Sequence, residues 1–102
     1  MRIIKESRLR EFAKHYSRAS VSLKNWLMAT RHANWQSFTD LKNTFNSADQ
    51  ITLPDGHRMV VFNIGGGAFR LIAAVHYNRG IVYIRKFLTH AQYSKEDWKN
   101  DP

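Results

Sequence analysis

The sequence predicts an α+β fold: an N-terminal helical hairpin on one face of a small antiparallel sheet, followed by a short C-terminal helix. Three observations predict it. Apolar residues repeat with helical spacing up to about residue 45, and the period changes from Ile51 onward. Turn signals at Gly65-Gly66-Gly67 and Asn78-Arg79-Gly80 join three β-branched and aromatic runs, the pattern of an antiparallel meander. Helices precede strands instead of alternating with them, so the helices must cover one face of the sheet and leave the other at least partly open.

Residues 1–4 have room only for a short edge strand. Ser7 reads as an N-cap. After it Leu9, Phe12, Ala13 and Tyr16 fall on one helical face, which predicts a helix over 8–16. Residues 17–20 interrupt the pattern. Leu23, Trp26, Leu27 and Thr30 then restore it for a second helix over 21–33, and the short connector makes the pair an αα-hairpin. Ser37-Phe38-Thr39-Asp40 is a capping-box variant with Asp at the third helical position. Phe38, Leu41 and Phe45 mark a short third helix that ends by 46–49. Pro54-Asp55-Gly56 is a turn, since Pro fixes φ, Asp bonds its own backbone and Gly accepts positive φ. Strands follow over 59–64, 69–77 and 81–88. A terminal helix over 93–98 takes Ser94 as its cap, and residues 100–102 are tail.

With 102 residues the chain predicts one domain, 1–102, with a single modest core. A 43% hydrophobic and 13% aromatic content is that of a packed globule and not of a disordered tail. Sixteen Lys and Arg against eight Asp and Glu give a net charge of +8, which favours an anionic partner such as nucleic acid, an acidic protein or a membrane surface. The absence of cysteine excludes disulfides, thiolate metal sites and cysteine nucleophiles. The N-terminus turns charged after two apolar residues and is no signal peptide. No apolar run approaches the roughly 18–20 residues of a membrane span, so the expected location is cytoplasmic. The five histidines have no metal-ligand spacing, and the acidic residues form no evident catalytic pair or magnesium site, so no metal or other cofactor is expected. A strand follows the three glycines where a P-loop needs Lys-Ser/Thr and a helix.

Chemistry concentrates in the last third. A cation on a strand is costly if it faces an apolar core. Alternation in 69–77 places Phe69, Leu71, Ala73, Val75 and Tyr77 on the core face and Arg70 and His76 on the other. In 81–88, Val82 and Ile84, with Lys86 and Leu88 in the same set, pack toward the helices; Tyr83 and Arg85 then share the open face with Arg70. Lys86 reaches out at the strand end by its long stem. A bulge would reverse this assignment. His90 and Tyr93 lie just past the strand. Guanidinium groups pair with phosphate and aromatic faces stack on unpaired bases, so this combination suits RNA. Each residue also has a plainer reading. Arg70 could close a salt bridge to Asp49 or Glu96, and Arg85 and Lys86 could be edge charges that discourage aggregation. His90 could be a surface or capping histidine, Tyr93 could pack under the terminal helix, and Tyr83 could be half-buried. Their convergence within one basic hairpin favours a shared site.

Residues 61–66 (VFNIGG), Phe69-Arg70-Leu71-Ile72, Tyr83-Ile84-Arg85 and Thr89-His90-Ala91-Gln92-Tyr93 resemble, in combination, the HigB family of bacterial toxins within the RelE-like mRNA interferases. The resemblance covers nearly the whole chain, and its specific part is the last third. It implies a toxin paired with an antitoxin, expected to be a helix-turn-helix DNA-binding protein. It also implies an endoribonuclease that acts in the ribosomal A site on translated mRNA, with its active site on the concave sheet face opposite the helices. Residue by residue it implies catalytic roles for Arg70, Arg85, His90 and Tyr93 and a basic neighbour in Lys86; Lys86, with Tyr83 and His76 from the open face, is expected to bind RNA. The sequence departs from the family at Gly67, where relatives commonly carry a polar residue, and at Lys86, which is often acidic in relatives. The competing readings are a non-catalytic nucleic-acid-binding module on the same basic face, and an interaction protein that docks an acidic partner.

Overall fold

The computed structural model describes residues 1–100; Asp101 and Pro102, read from the sequence as tail, lie outside the described residues. The order of elements is β1 (Arg2–Ile4), α1 (Ser7–His15), a 3-10 turn (Ser17–Ala19), α2 (Ser20–His32), α3 (Phe38–Thr44), β2 (Asp49–Thr52), β3 (Arg58–Ile64), β4 (Phe69–His76), β5 (Ile81–Thr89), α4 (His90–Ser94) and a second 3-10 turn (Asp97–Asn100). The fold is α+β, as the change of apolar period requires.

The sheet has five strands in the order β1-β5-β4-β3-β2. Four are antiparallel neighbours, but β1 pairs parallel to β5, with Ile3 opposite Val82, so the sheet is mixed and not purely antiparallel as expected. Three residues carry no alternation from which a direction could be read. β2 adds an edge beyond the three-strand meander, held by Leu53 N–H to His57 O at 2.8 Å across the Pro54-Asp55-Gly56 turn.

Cap chemistry sets the helix ends. Ser37 accepts from the Asp40 N–H at 3.3 Å, as predicted, while Asp40 reaches one residue further back than a capping box does, to the Gln36 N–H at 2.8 Å. Ser7 is not a cap: α1 begins with it, Glu6 is the N-cap residue, and no side chain caps that end. The terminal helix also differs from expectation. It runs over His90–Ser94, because Thr89 and Gln92 form a reciprocal capping box: Thr89 Oγ1 accepts the Gln92 N–H at 3.2 Å, and Gln92 Oε1 accepts the Thr89 N–H at 2.9 Å. Ser94 therefore ends this helix instead of starting one. Glu96, at φ 62°, turns the chain into the last 3-10 turn.

The hairpin α1–α2 and α3 cover one sheet face. Leu9, Leu23, Trp26 and Leu41 meet Val60, Phe62, Leu71 and Ile84 in the main core. The opposite face carries a smaller cluster in which Trp98 covers Leu53, Met59, Val61, Ile72 and Ala74. That face is thus part core and part open, and the division sets where the cations can stand. Among the described residues no helix is long and apolar enough to cross a membrane.

Candidate active site

The local backbone of β5 decides which side chains share the second face. Ile72 pairs with Lys86 while Ala73 pairs with Ile84, so Arg85 is an extra residue with no partner across the ladder. This β-bulge shifts the alternation of everything after it. Val82 and Ile84 face the main core as expected, but Phe87 now joins them and stacks on Phe12 and Phe69 at 5.1 and 5.2 Å. Lys86 and Leu88, expected toward the helices, instead turn to the face that holds Ile72 and Arg70, their partners on β4. Arg85 keeps its expected side: its guanidinium carbon lies 5.9 Å from the centre of the Tyr83 ring, and Tyr83 packs on the second cluster. The bulge therefore puts two consecutive cations, Arg85 and Lys86, on the face of Arg70.

Arg70 is held by the turn before it. Its Nη1 donates to the Gly67 carbonyl at 2.5 Å and to the Phe69 carbonyl at 3.2 Å. Gly65, Gly66 and Gly67 all have positive φ, which L side chains rarely adopt, and the resulting turn aims the Gly67 carbonyl at the arginine. The three glycines thus serve a hairpin turn and an arginine tether. No carboxylate among the described residues pairs with Arg70; Glu96, one expected alternative, pairs with Lys99 at 2.9 Å. Among the described residues nothing accepts from the Nε and Nη2 donors of Arg70. The Nε of Arg85 is buried and has no acceptor among the described residues. A buried charged donor without a partner is costly, which makes Arg85 an exception to ordinary core packing.

The capping box places His90 and Tyr93. The His90 N–H donates to the Ala68 carbonyl at 3.0 Å, which ties the start of α4 to the β3–β4 turn. His90, Tyr93 and Ser94 stand at i, i+3 and i+4, on one side of the short helix. The Tyr93 ring carries the Arg70 guanidinium 5.5 Å from its centre and stacks on Trp98 at 5.4 Å and 23°. The Trp98 N–H also donates to the Tyr93 carbonyl at 3.1 Å. With a guanidinium and an indole against its ring, Tyr93 has little face left for a nucleobase, and its hydroxyl is the part free to act. Packing of Tyr93 under the terminal segment was its plainer reading, and that contact coexists with the approach of Arg70.

Ser94 holds one nitrogen of the His90 ring. Its hydroxyl donates to the His90 carbonyl at 2.9 Å and lies 3.1 Å from His90 Nδ1. A serine has one proton to give. In the tautomer that matches a hydroxyl proton on the carbonyl, Nδ1–H donates to Oγ and the lone pair stands on Nε2.

The predicted residues thus fall in two groups. Arg70, Tyr93 and His90 gather at the β3–β4 turn, and Asn63, opposite Arg70 in the ladder, stands beside them. Tyr83 and His76 form the other group, with their rings edge-to-face at 5.2 Å. At about 3.3 Å per residue, His76 is roughly 20 Å along β4 from Arg70. Arg85 and Lys86 lie between the two groups. Sequence reasoning missed Ser94 and Trp98 as neighbours of the site. The T-x-x-Q signature of Thr89 and Gln92 could have fixed the helix start and so revealed the His90–Ser94 spacing; nothing local foretells that Trp98 folds back onto Tyr93. Among the described residues no cluster of His, Asp or Glu could hold a metal.

The family profile of the HigB toxins, described as the RelE-like toxic component of a toxin–antitoxin system, matches residues 19–96. Similar curated proteins include the mRNA interferase toxin HigB of Escherichia coli K12 and the mRNA interferases HigB of Escherichia coli O157:H7 and Shigella flexneri. Each is 29% identical over 93 residues, spanning 91% of this chain and 88% of the relative.

Proposed function

The chain belongs to the HigB family of RelE-like toxins, and from that membership we propose that it is an mRNA interferase whose 1–102 form one toxin domain that cuts translated messages without a metal. The observation that carries the reading is the gathering of Arg70, Tyr93 and His90 at one turn, with Arg85 and Lys86 brought to the same face by the bulge.

In the proposed reaction the 2′-hydroxyl of the message attacks the adjacent phosphorus. A base takes the hydroxyl proton, the P–O5′ bond breaks, and an acid returns a proton to the departing 5′-oxygen. The products are a 2′,3′-cyclic phosphate and a 5′-hydroxyl. Arg70 and Arg85 stabilise the charge that grows on the non-bridging oxygens; removal of one preorganised donor of this kind costs about 10²–10³ in rate. Nε2 of His90 serves as the acid/base atom, since its Nδ1 is engaged by Ser94. The Tyr93 hydroxyl orients the phosphate or relays a proton. Lys86 holds a flanking phosphate. Tyr83 and His76 contact the message further along the strand, where an aromatic edge can meet a base.

These residues are half-buried or exposed along the second sheet face and the α4 rim beside it. A second body that presents the message is in keeping with that shape, and we assign this part to the ribosomal A site. The neutralising partner is proposed to be a helix-turn-helix DNA-binding antitoxin, and the place of action the cytoplasm. The test is a message with a single 2′-deoxy substitution at the scissile nucleotide, with 5′ ends mapped with and without active translation. Cleavage should stop at the substituted position and should require translation. Normal cutting at the deoxy site would refute the mechanism, and salt-sensitive binding without scission would return the basic face to a non-catalytic RNA module.

A further inference from the structure

We propose that the cleft between α1 and α2 docks the antitoxin, and that the docking segment is an acidic amphipathic helix. The proposal rests on the toxin–antitoxin pairing of the family and not on the cleavage mechanism.

Two features of the helical layer coincide. Leu9, Ala13, Leu23 and Leu27 floor a cleft of about 160 Å³ between the two helices. Beside it, Val21 and Met28 are the large hydrophobic residues left exposed among the described residues, at 71% and 48%. They are seven residues apart on α2, with Lys24 between them at i+3, so the three share one face of the helix. Lys24 also lines the cleft, which makes the exposed pair and the cleft one surface. Exposed apolar side chains on one helix face beside an apolar cleft mark an interaction surface, whereas scattered ones need no explanation.

Charge identifies the occupant. Arg10 and Lys24 stand at the cleft rim, and Lys14 lies one turn beyond Arg10 on α1. None of the three makes an ion pair with a described residue; the one nearby basic residue that does, Arg31, pairs with Glu6. An apolar floor with an unpaired cationic rim complements a helix with aliphatic residues at i, i+3, i+4 and i+7 and carboxylates along its flanks. A second copy of this chain is a poor fit, because an isologous contact would bring the same lysines and arginines of two +8 chains together. RNA is a poor fit as well, since exposed aliphatic side chains offer it neither charge nor a ring to stack on. The cleft lies on the helical layer, across the sheet from Arg70 and His90, so docking and cleavage can be altered separately.

The test pairs the full chain with the purified product of the adjacent open reading frame. Val21→Glu/Met28→Glu changes two exposed positions and should leave the thermal transition and growth arrest unchanged. It should weaken antitoxin binding in calorimetry by about 100-fold or more and abolish neutralisation in co-expression. Arg10→Glu/Lys24→Glu alters only the rim. It should weaken binding most at low salt and flatten its salt dependence, and it answers the question should the first variant fold poorly. Affinities within about 3-fold of wild type in both variants would overturn the proposal. It would also fall if the chain alone sediments as a dimer that Val21→Glu/Met28→Glu dissociates while antitoxin binding persists. A wild-type chain that binds the antitoxin but neither arrests growth nor cuts RNA refutes the cleavage reading and leaves the docking result legible.

Discussion

Trp98→Ala should lower stability by about 3 kcal/mol and, by a separate route, lower cleavage activity. Trp98 is 7% exposed and lies on Leu53, Met59, Val61, Ile72 and Ala74. A buried indole removes about 150–250 Å² from water, which at about 25 cal/mol per Å² gives roughly 4–6 kcal/mol as an upper bound. The retained β-carbon and a partly compact denatured chain reduce this to about 3 kcal/mol, the lower end for buried Trp-to-Ala changes. Trp98→Phe keeps a ring against Tyr93 and loses the N–H bond to its carbonyl and part of the buried indole, for about 1–2 kcal/mol. In a chain of this size the Ala variant should melt on the order of 15 °C lower. Urea unfolding followed by circular dichroism measures the stability. Cleavage assayed well below the transition measures the second effect, since without the indole Tyr93 loses the ring that backs it against Arg70. If Trp98→Ala unfolds within about 0.5 kcal/mol of wild type, the C-terminal segment is not part of the cooperative core. If it is destabilised but cuts at the wild-type rate while folded, the orientation of Tyr93 does not depend on Trp98.

Arg70→Ala should reduce cleavage in a reconstituted translation assay by about 10²–10³-fold with the fold intact, and Arg70→Lys should recover little, since an ammonium cannot hold both turn carbonyls and a phosphate in the planar guanidinium geometry. Ser94→Ala should let the neutral His90 ring populate both tautomers, read from its ¹⁵N imidazole shifts, while Ser94→Thr keeps the wild-type signature; unchanged shifts in the alanine variant would remove Ser94 from this role. Tyr77 has a buried hydroxyl with no partner among the described residues, and burial raises its ionisation above the ordinary value of 10.0. The folded state therefore favours the neutral phenol: its contribution is whole below pH 10 and is lost as pH rises through the folded value. Tyr77→Phe should be neutral or stabilising by up to about 1 kcal/mol at pH 7 and should flatten the alkaline limb of the stability curve; a clear loss at pH 7 would show that the hydroxyl has a partner.

The helical half was legible because burial there is one-sided. Leu9, Leu23, Trp26 and Leu41 declare their helices by spacing, and each is buried where the spacing puts it. Ends were less legible. Ser7 and Ser94 have the right chemistry for caps, but a cap needs a chain that enters in extended conformation, and Glu6 enters α1 as αR. Thr89 does enter extended, at φ −70° and ψ 162°, and it wins the cap of α4 from Ser94 five residues later. The parallel pairing of β1 was illegible for another reason: it depends on where the chain returns after α2 and α3, a long-range fact with no local signature. Trp98 belongs to the same class. Its neighbours Leu53, Met59 and Val61 are distant in sequence, and only the folded sheet brings them beneath it.

The bulge at Arg85 shows how one unpaired residue can turn an ordinary amphipathic strand into a site. A regular β5 would alternate strictly, so Arg85 and Lys86 would point to opposite faces, and one of them would enter the helical core beside Phe12 and Phe69. Burial of an unpaired ammonium or guanidinium there costs several kcal/mol, comparable to the whole stability of a small domain. The extra residue removes that conflict. Both cations reach the Arg70 face, and Phe87 takes the core position between Phe12 and Phe69 that Lys86 would have entered. Core packing and site charge thus select the same register. A deletion that straightened β5 would misplace the Phe87 ring and the Lys86 cation together, so the hydrophobic core enforces the spacing of the cations and the site does not depend on weak contacts among its own charges.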